Sequence, residues 1–186
     1  MGALDPKTWW YLARAGGLVG WALLTASVVW GLLLSTRTFG KAVVPAWLLD
    51  LHRFLGGLAV TFLAVHLVGL VADDYVEFGW REVLVPMASS WHPGAVAWGV
   101  VAMYLLVAIE VTSLLQRRMP RRWWRRVHLL SFPLFVLATV HALTAGTDAR
   151  NQLVELTTIA AVTVVAFLTL VRTLARRTRR ERVPAT

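Results

Sequence analysis

Residues 51–73 read LHRFLGGLAVTFLAVHLVGLVAD, and residues 123–148 read WWRRVHLLSFPLFVLATVHALTAGTD. Each is an apolar stretch long enough to cross the ~30 Å hydrocarbon core of a bilayer as a helix. Each also carries two histidines: His52 and His66 fourteen residues apart, His128 and His141 thirteen apart. An ionisable side chain inside a membrane span is costly and marks function by default. At ~1.5 Å rise per residue the separations are ~21 Å and ~20 Å. The two stretches therefore offer imidazoles at two matching depths.

The rest of the chain agrees with a membrane setting. Of 186 residues, 58% are hydrophobic, too apolar for a soluble domain of this size. Five spans can be drawn, at Trp9–Leu34, Leu51–Ala72, Gly94–Leu115, Val127–Ala145 and Leu153–Leu174. Between them lie Pro45, Pro86, Pro93, Pro120 and Gly146, which punctuate helices. The expected fold is all-α, a polytopic membrane bundle of about five helices. Residues 1–175 form the transmembrane domain and residues 176–186 a basic cytoplasmic tail. With no cysteine, disulfides, iron–sulfur clusters and thiol catalysis are excluded. No cleaved signal peptide is expected, because the N-terminus lacks a short basic region followed by a compact apolar stretch and a small-residue cleavage site; Trp9 and Trp10 read instead as interfacial anchors.

The net charge of +9 is read as topology, with no nucleic-acid partner, since basic residues collect in cytoplasmic loops. Arg117, Arg118, Arg121, Arg122, Arg125 and Arg126 lie between the third and fourth spans. Arg37 and Lys41 follow the first, and Arg172, Arg176, Arg177, Arg179, Arg180 and Arg182 end the chain. Asp73, Asp74, Glu77, Glu82 and Asp148 occupy the opposite loops. The expectation is a multi-pass cell-membrane protein with its N-terminus outside and its C-terminus in the cytoplasm. His52 and His128 then lie near the inner surface, and His66 and His141 toward the outer one.

Single histidines in spans often serve only as helix–helix hydrogen bonds. Four of them, in depth-matched pairs, point to metal ligands. Imidazole pairs across a cavity suit haem, and no cysteine or carboxylate cluster offers a non-haem set. Rotational phase is less tidy. At ~100° per residue, fourteen residues return to within ~40° of one face, but thirteen miss by ~140°. Pro133 lies between His128 and His141. A kink there, with or without a π-bulge, is expected to re-phase the fourth span.

The two quoted stretches resemble the ferric reductase-like transmembrane domain. That superfamily includes ferric reductases, NADPH oxidases and the haem-bearing membrane subunit of a periplasmic methionine sulfoxide reductase system. The resemblance covers the chain from the first span to the fifth. It implies two b-type haems, one ligated by His52 with His128 and the other by His66 with His141. Six spans are usual there and five are legible here; the flavin and nicotinamide module of the large members is also missing. Cytochrome b of the respiratory bc complex is a weaker resemblance.

Haem propionates need cationic partners. Arg53 beside His52, and Arg125 or Arg126 before His128, are candidates at the inner level; Arg14 is the candidate at the outer. Lipid headgroup contact explains the inner three equally well. Gly56 and Gly57 would let a helix or a porphyrin face approach. Glu110 either serves a ligand imidazole or a proton path, or pairs with an arginine. His92 reads as a solvated loop residue, with capture of an outside acceptor alongside Asp73 and Asp74 as the alternative.

Three functions stay open on sequence. One is transmembrane electron transfer from a cytoplasmic flavoprotein or quinol to an extracytoplasmic metal complex, as an oxidoreductase component. Another is a haem subunit serving an extracytoplasmic protein partner. The third is a non-redox scaffold or transporter with structural histidines. No dinucleotide-binding glycine fingerprint or P-loop appears, so a nicotinamide or flavin donor would belong to a separate subunit.

Overall fold

The computed structural model describes residues 7–36, 46–73 and 78–181, with side chains through residue 175. Arg37, Lys41, Asp74, Glu77, Arg182 and the side chains of Arg176, Arg177, Arg179 and Arg180 lie outside the described residues. The elements are α1 (Thr8–Thr36), α2 (Ala46–Ala72), α3 (Trp80–Leu84), α4 (Pro93–Leu114), a 3-10 turn (Gln116–Arg118), α5 (Arg121–His128), α6 (Ser131–Ala145) and α7 (Gln152–Glu181). All are helical. Five helical stretches are long and apolar enough to cross a bilayer: α1, α2, α4, α5 joined with α6, and α7 through Ala175. The chain is a multi-pass membrane protein.

Helices satisfy their own backbone groups, which a lipid environment requires. Hydroxyls within the spans do likewise. Thr139 donates to the Phe135 carbonyl at 2.8 Å, and Thr158 to that of Val154 at 2.7 Å. The outward faces are apolar: Leu153, Ile159, Phe167 and Leu170 of α7 are all more than half exposed. In a soluble protein such a surface would be an aggregation hazard; here it faces lipid.

α1 packs chiefly on α2, and α4 on α6, while α1 also touches α6 and α7. The main core lies where α1, α4, α6 and α7 meet, built by Leu24, Val28, Leu32, Ala102, Leu106, Ile109, Leu134, Phe135 and Val165. Along α1 it runs from Leu24 to Leu32, filling the stretch between the two histidine levels and reaching that of His52 and His128. A second cluster, of Phe78, Val83, Val96, Val100 and Met103, closes one end. It is organised by α3, which the sequence reading left inside a loop. The Gly79 N–H donates to the Glu82 carboxylate at 2.9 Å, capping a helix too short to show periodicity.

The fourth span is divided. α5 ends at His128 and α6 begins at Ser131. Pro133 has no N–H to offer the Leu129 carbonyl, so the Phe132 N–H takes that oxygen at 3.3 Å. Next to it, the Leu130 N–H bonds to Val127 at 2.9 Å. These three-residue closures make the break a tightened turn rather than a π-bulge, placed ahead of the proline. α7 keeps a helical backbone through Glu181, so the basic C-terminal segment begins within a helix.

Candidate functional site

The histidines meet in the pairs expected from their depths. His52 of α2 and His128 at the end of α5 have ring centroids 6.0 Å apart, with planes at 80°. His66 of α2 and His141 of α6 lie 6.4 Å apart, with planes at 76°. The broken fourth span therefore presents both its histidines toward α2. Yet α2 and α6 approach each other much less closely than α1 and α2 or α4 and α6. Imidazoles, not backbones, bridge that gap.

Each ring has a distinct Nδ1 environment. The Nδ1–H of His66 donates to the Ala13 carbonyl of α1 at 2.6 Å, and that of His141 to the Ala95 carbonyl of α4 at 2.8 Å. His52 Nδ1 lies 3.3 Å from the Ser27 hydroxyl. His128 Nδ1 is buried without a partner among the described residues, and its ring stacks on Trp124, with centroids 5.1 Å apart and planes at 22°. A carbonyl can only accept, so His66 and His141 carry their proton on Nδ1 and keep the Nε2 lone pair free. This is the arrangement a metal-ligating histidine needs.

Glycines leave room for the rings. A Cβ at Gly99 of α4 would fall 2.6 Å from His141 Cε1 and 2.9 Å from its Nε2. One at Gly31 of α1 would lie 3.1 Å from His52 Cε1. The sequence reading singled out Gly56 and Gly57 instead. Gly56 in fact accommodates the Glu110 carboxylate, and a Cβ at Gly57 would meet nothing. Glu110 therefore faces α2 one turn beyond His52, away from the interfacial arginines.

The spacing tests the fit of a haem. Two imidazoles bound end-on to one metal, at about 2 Å on each side, place their ring centres roughly 6 Å apart once half a ring is added on each side. Both pairs have this separation. No group of three or more metal-ligating side chains converges among the described residues, so each level offers a two-imidazole donor set.

The candidate cations distribute unevenly. Arg14 makes a two-pronged ion pair with Asp148 and lies over the Trp10 ring at 5.0 Å. This contact ties the start of α1 to the loop after α6, and the sequence reading did not foresee it. Arg53 pairs with Asp50 at 3.2 Å on the surface. Arg125 is exposed, and Arg126 lies over Trp123 at 5.2 Å. Arg172, read from sequence as part of the terminal charge run, instead lies over Phe132 at 5.8 Å, within electrostatic reach of His128. His92 is exposed beside Trp91 and starts α4 with φ of 41°. No described contact joins it to Asp73, and Asp74 lies outside the described residues.

The fold and this geometry define a class: a multi-pass helical membrane protein carrying two stacked imidazole pairs, one toward each end of the bundle. Within that class the chain belongs to the family described as Domain of unknown function (DUF8596), whose model matches residues 8–148. It is also similar to proteins named protein-methionine-sulfoxide reductase heme-binding subunit. That of Xanthomonas oryzae pv. oryzae (strain MAFF 311018) is 28% identical over 123 residues, covering 65% of this chain and 52% of the relative. That of Rhodospirillum rubrum is 27% identical over 151 residues, covering 74% of this chain and 70% of the relative. The chain thus spans about half the length of the Xanthomonas relatives it matches. No solved structure matches it.

Proposed function

We propose that the chain is a haem-bearing membrane subunit that carries electrons between a cytoplasmic donor and an extracytoplasmic partner. The observation that carries this reading is the pair of imidazole separations, 6.0 Å and 6.4 Å. His52 with His128 would hold one b haem, and His66 with His141 the other. Haem, when bound, supplies one-electron chemistry that no amino-acid side chain here provides.

The chain's own residues supply position and insulation. Ala13 and Ala95 hold the outer imidazoles by their main-chain oxygens, which also makes these rings more basic ligands. Arg53, Arg125, Arg126 and Arg172 put positive charge at the inner level, where haem propionates would need it. Arg14 supplies it at the outer level, shared with Asp148. The apolar core between the levels keeps water from the interior.

The orientation proposed is N-terminus outside and C-terminus in the cytoplasm, supported by the arginines of 117–126 at one end of the bundle and Asp73, Glu82 and Asp148 at the other. The transmembrane domain is taken as 1–175 and the basic tail as 176–186. Outward movement of an electron through an inside-negative membrane is favoured by about 2.3 kcal/mol per 100 mV. The donor is a cytoplasmic flavoprotein or a quinol, and the basic inner face would steer an acidic protein toward it. The names of the relatives favour a protein acceptor, a methionine sulfoxide reductase, over a free metal complex.

Purification from membranes tests this. The expected result is a coloured protein with a dithionite-reducible b-type spectrum and two haems per chain. Reduction of a separately added reductase partner supports the subunit reading, whereas partner-free reduction of ferric chelates supports the ferric reductase one. A colourless protein leaves a non-redox scaffold.

A further inference from the structure

The four imidazoles are not equally held. His66 and His141 sit within long helices, each tied through Nδ1 to a main-chain oxygen at 2.6 Å and 2.8 Å. His52 has the Ser27 hydroxyl at 3.3 Å. Among the described residues His128 has no acceptor for its buried Nδ1. A buried N–H left unmet disfavours the position that buries it, by about ten- to a hundredfold in occupancy.

The helix that carries His128 is also lightly anchored. α5 (Arg121–His128) has no buried residue and packs chiefly against α4. His128 is its last residue, followed at once by the tightened turn through Leu129 and Leu130. The Trp124 ring stacks on the imidazole at 5.1 Å, the adjacent Val127 is only partly buried against the core, and Trp124 Nε1 is itself buried without a partner among the described residues. His141, by contrast, lies in α6, which packs on both α1 and α4.

Resting on the ligation proposed above, we infer that His128 is a displaceable ligand. The His52–His128 level is then a binding site for a small neutral molecule such as carbon monoxide, while the His66–His141 level stays closed. With haem held there, the exchange would open the bond from His128 Nε2 to iron and form one from iron to the carbon of carbon monoxide. No electron moves, and the freed imidazole keeps its proton on Nδ1. The swing of one ring on a short peripheral helix suffices.

The test uses the full-length protein in detergent, reduced with dithionite and exposed to carbon monoxide, with the Soret band as readout. The wild-type protein should shift one of its two haems. The carbon monoxide-sensitive band should persist in His141→Ala, which keeps the inner haem, and be absent from His128→Ala, which loses it. Trp124→Ala should speed the reaction severalfold, and Trp124→Phe, which keeps a stacking ring, should leave it near the wild-type rate. Two reducible haems with no carbon monoxide-sensitive band overturn the inference, as does a carbon monoxide-sensitive band that persists in His128→Ala. If Trp124→Ala does not fold, the wild-type and His128→Ala results still decide. A preparation without two haems overturns the ligation itself, an outcome distinct from failure of the exchange.

Discussion

The imidazole of His66 donates from Nδ1 to the carbonyl oxygen of Ala13 at 2.6 Å, across the α1–α2 interface. That bond fixes the ring's tautomer and its rotation together, because the acceptor belongs to a helix backbone and cannot turn away. His141 is fixed in the same manner by Ala95. The His66–His141 level is thus set by main-chain atoms of two flanking helices, and disturbing either helix should disturb it.

Gly99→Ala tests that dependence. The new methyl would fall 2.6 Å from His141 Cε1, and an overpacked site of this kind costs about 1–3 kcal/mol. The ring can relieve the clash only by leaving Ala95 and its partner His66. Haem content should fall from two per chain toward one, measured by reduced-pyridine spectra of purified protein. Retention of both with unchanged stability would show that the glycine is not needed for the ring's position.

The four histidines should separate into two independent sets. His66→Ala or His141→Ala should remove the outer haem and leave the inner one reducible; His52→Ala or His128→Ala should do the reverse. The levels are ~20 Å apart and share no first contact, so losses at one should not spread to the other. Redox titration of each variant gives one wave instead of two. Full haem content in all four single variants would show that the ligands lie elsewhere.

The spans and the depth matching were legible in sequence because both follow from one number, the rise per residue, which packing does not alter. Once the charge pattern set the two spans parallel, the pairing of His52 with His128 and of His66 with His141 followed. The Nδ1 partners were not legible: Ala13 and Ala95 act through main-chain oxygens, which every residue possesses. Nor could sequence choose among glycines, since Gly57 and Gly99 look alike until one meets open space and the other an imidazole. The Arg14–Asp148 pair joins residues 134 apart, a separation only the folded topology closes. Arg172 read as terminal charge because Arg176 and Arg177 follow about one helical turn on, while α7 carries it back against Phe132.

Asp148 is buried and its partner Arg14 half-exposed. Arg14→Met should therefore strand a carboxylate, at a cost of about 1–3 kcal/mol once solvent access to the guanidinium is allowed for. The double variant Arg14→Met with Asp148→Leu removes the stranded charge and should regain much of the loss. Thermal unfolding of the three proteins in one detergent reads this directly. A double variant no more stable than Arg14→Met alone would place the contribution in the contact of Arg14 with Trp10 instead.

Gly56 and Glu110 form a second pair of this kind. The carboxylate occupies the space a Cβ at position 56 would need. Gly56→Ala should destabilise by about 1–3 kcal/mol, and adding Glu110→Ala should suppress most of that by emptying the space. Glu110→Ala alone should be mild, since no described hydrogen bond depends on it. Unfolding midpoints for the single and double variants form a cycle whose coupling term should be large. Additive effects would mean that the carboxylate simply turns aside.

The last prediction concerns the turn that sets His128 against His52. On a straight helix, thirteen residues from His141 leave a ring ~140° away from its face, so the inner pair exists only because the fourth span breaks. The break follows from Pro133, which leaves the Leu129 carbonyl to the Phe132 N–H. Pro133→Ala restores an N–H that can bond that carbonyl in ordinary helical register. α5 and α6 should then join, and His128 should rotate away from α2. The expected protein is at least as helical as the wild type, keeps the outer haem and has lost the inner one, so the reduced spectrum halves while circular dichroism holds. Retention of both haems would mean that packing of Val127, Phe132 and Leu134 against the core maintains the break without the proline.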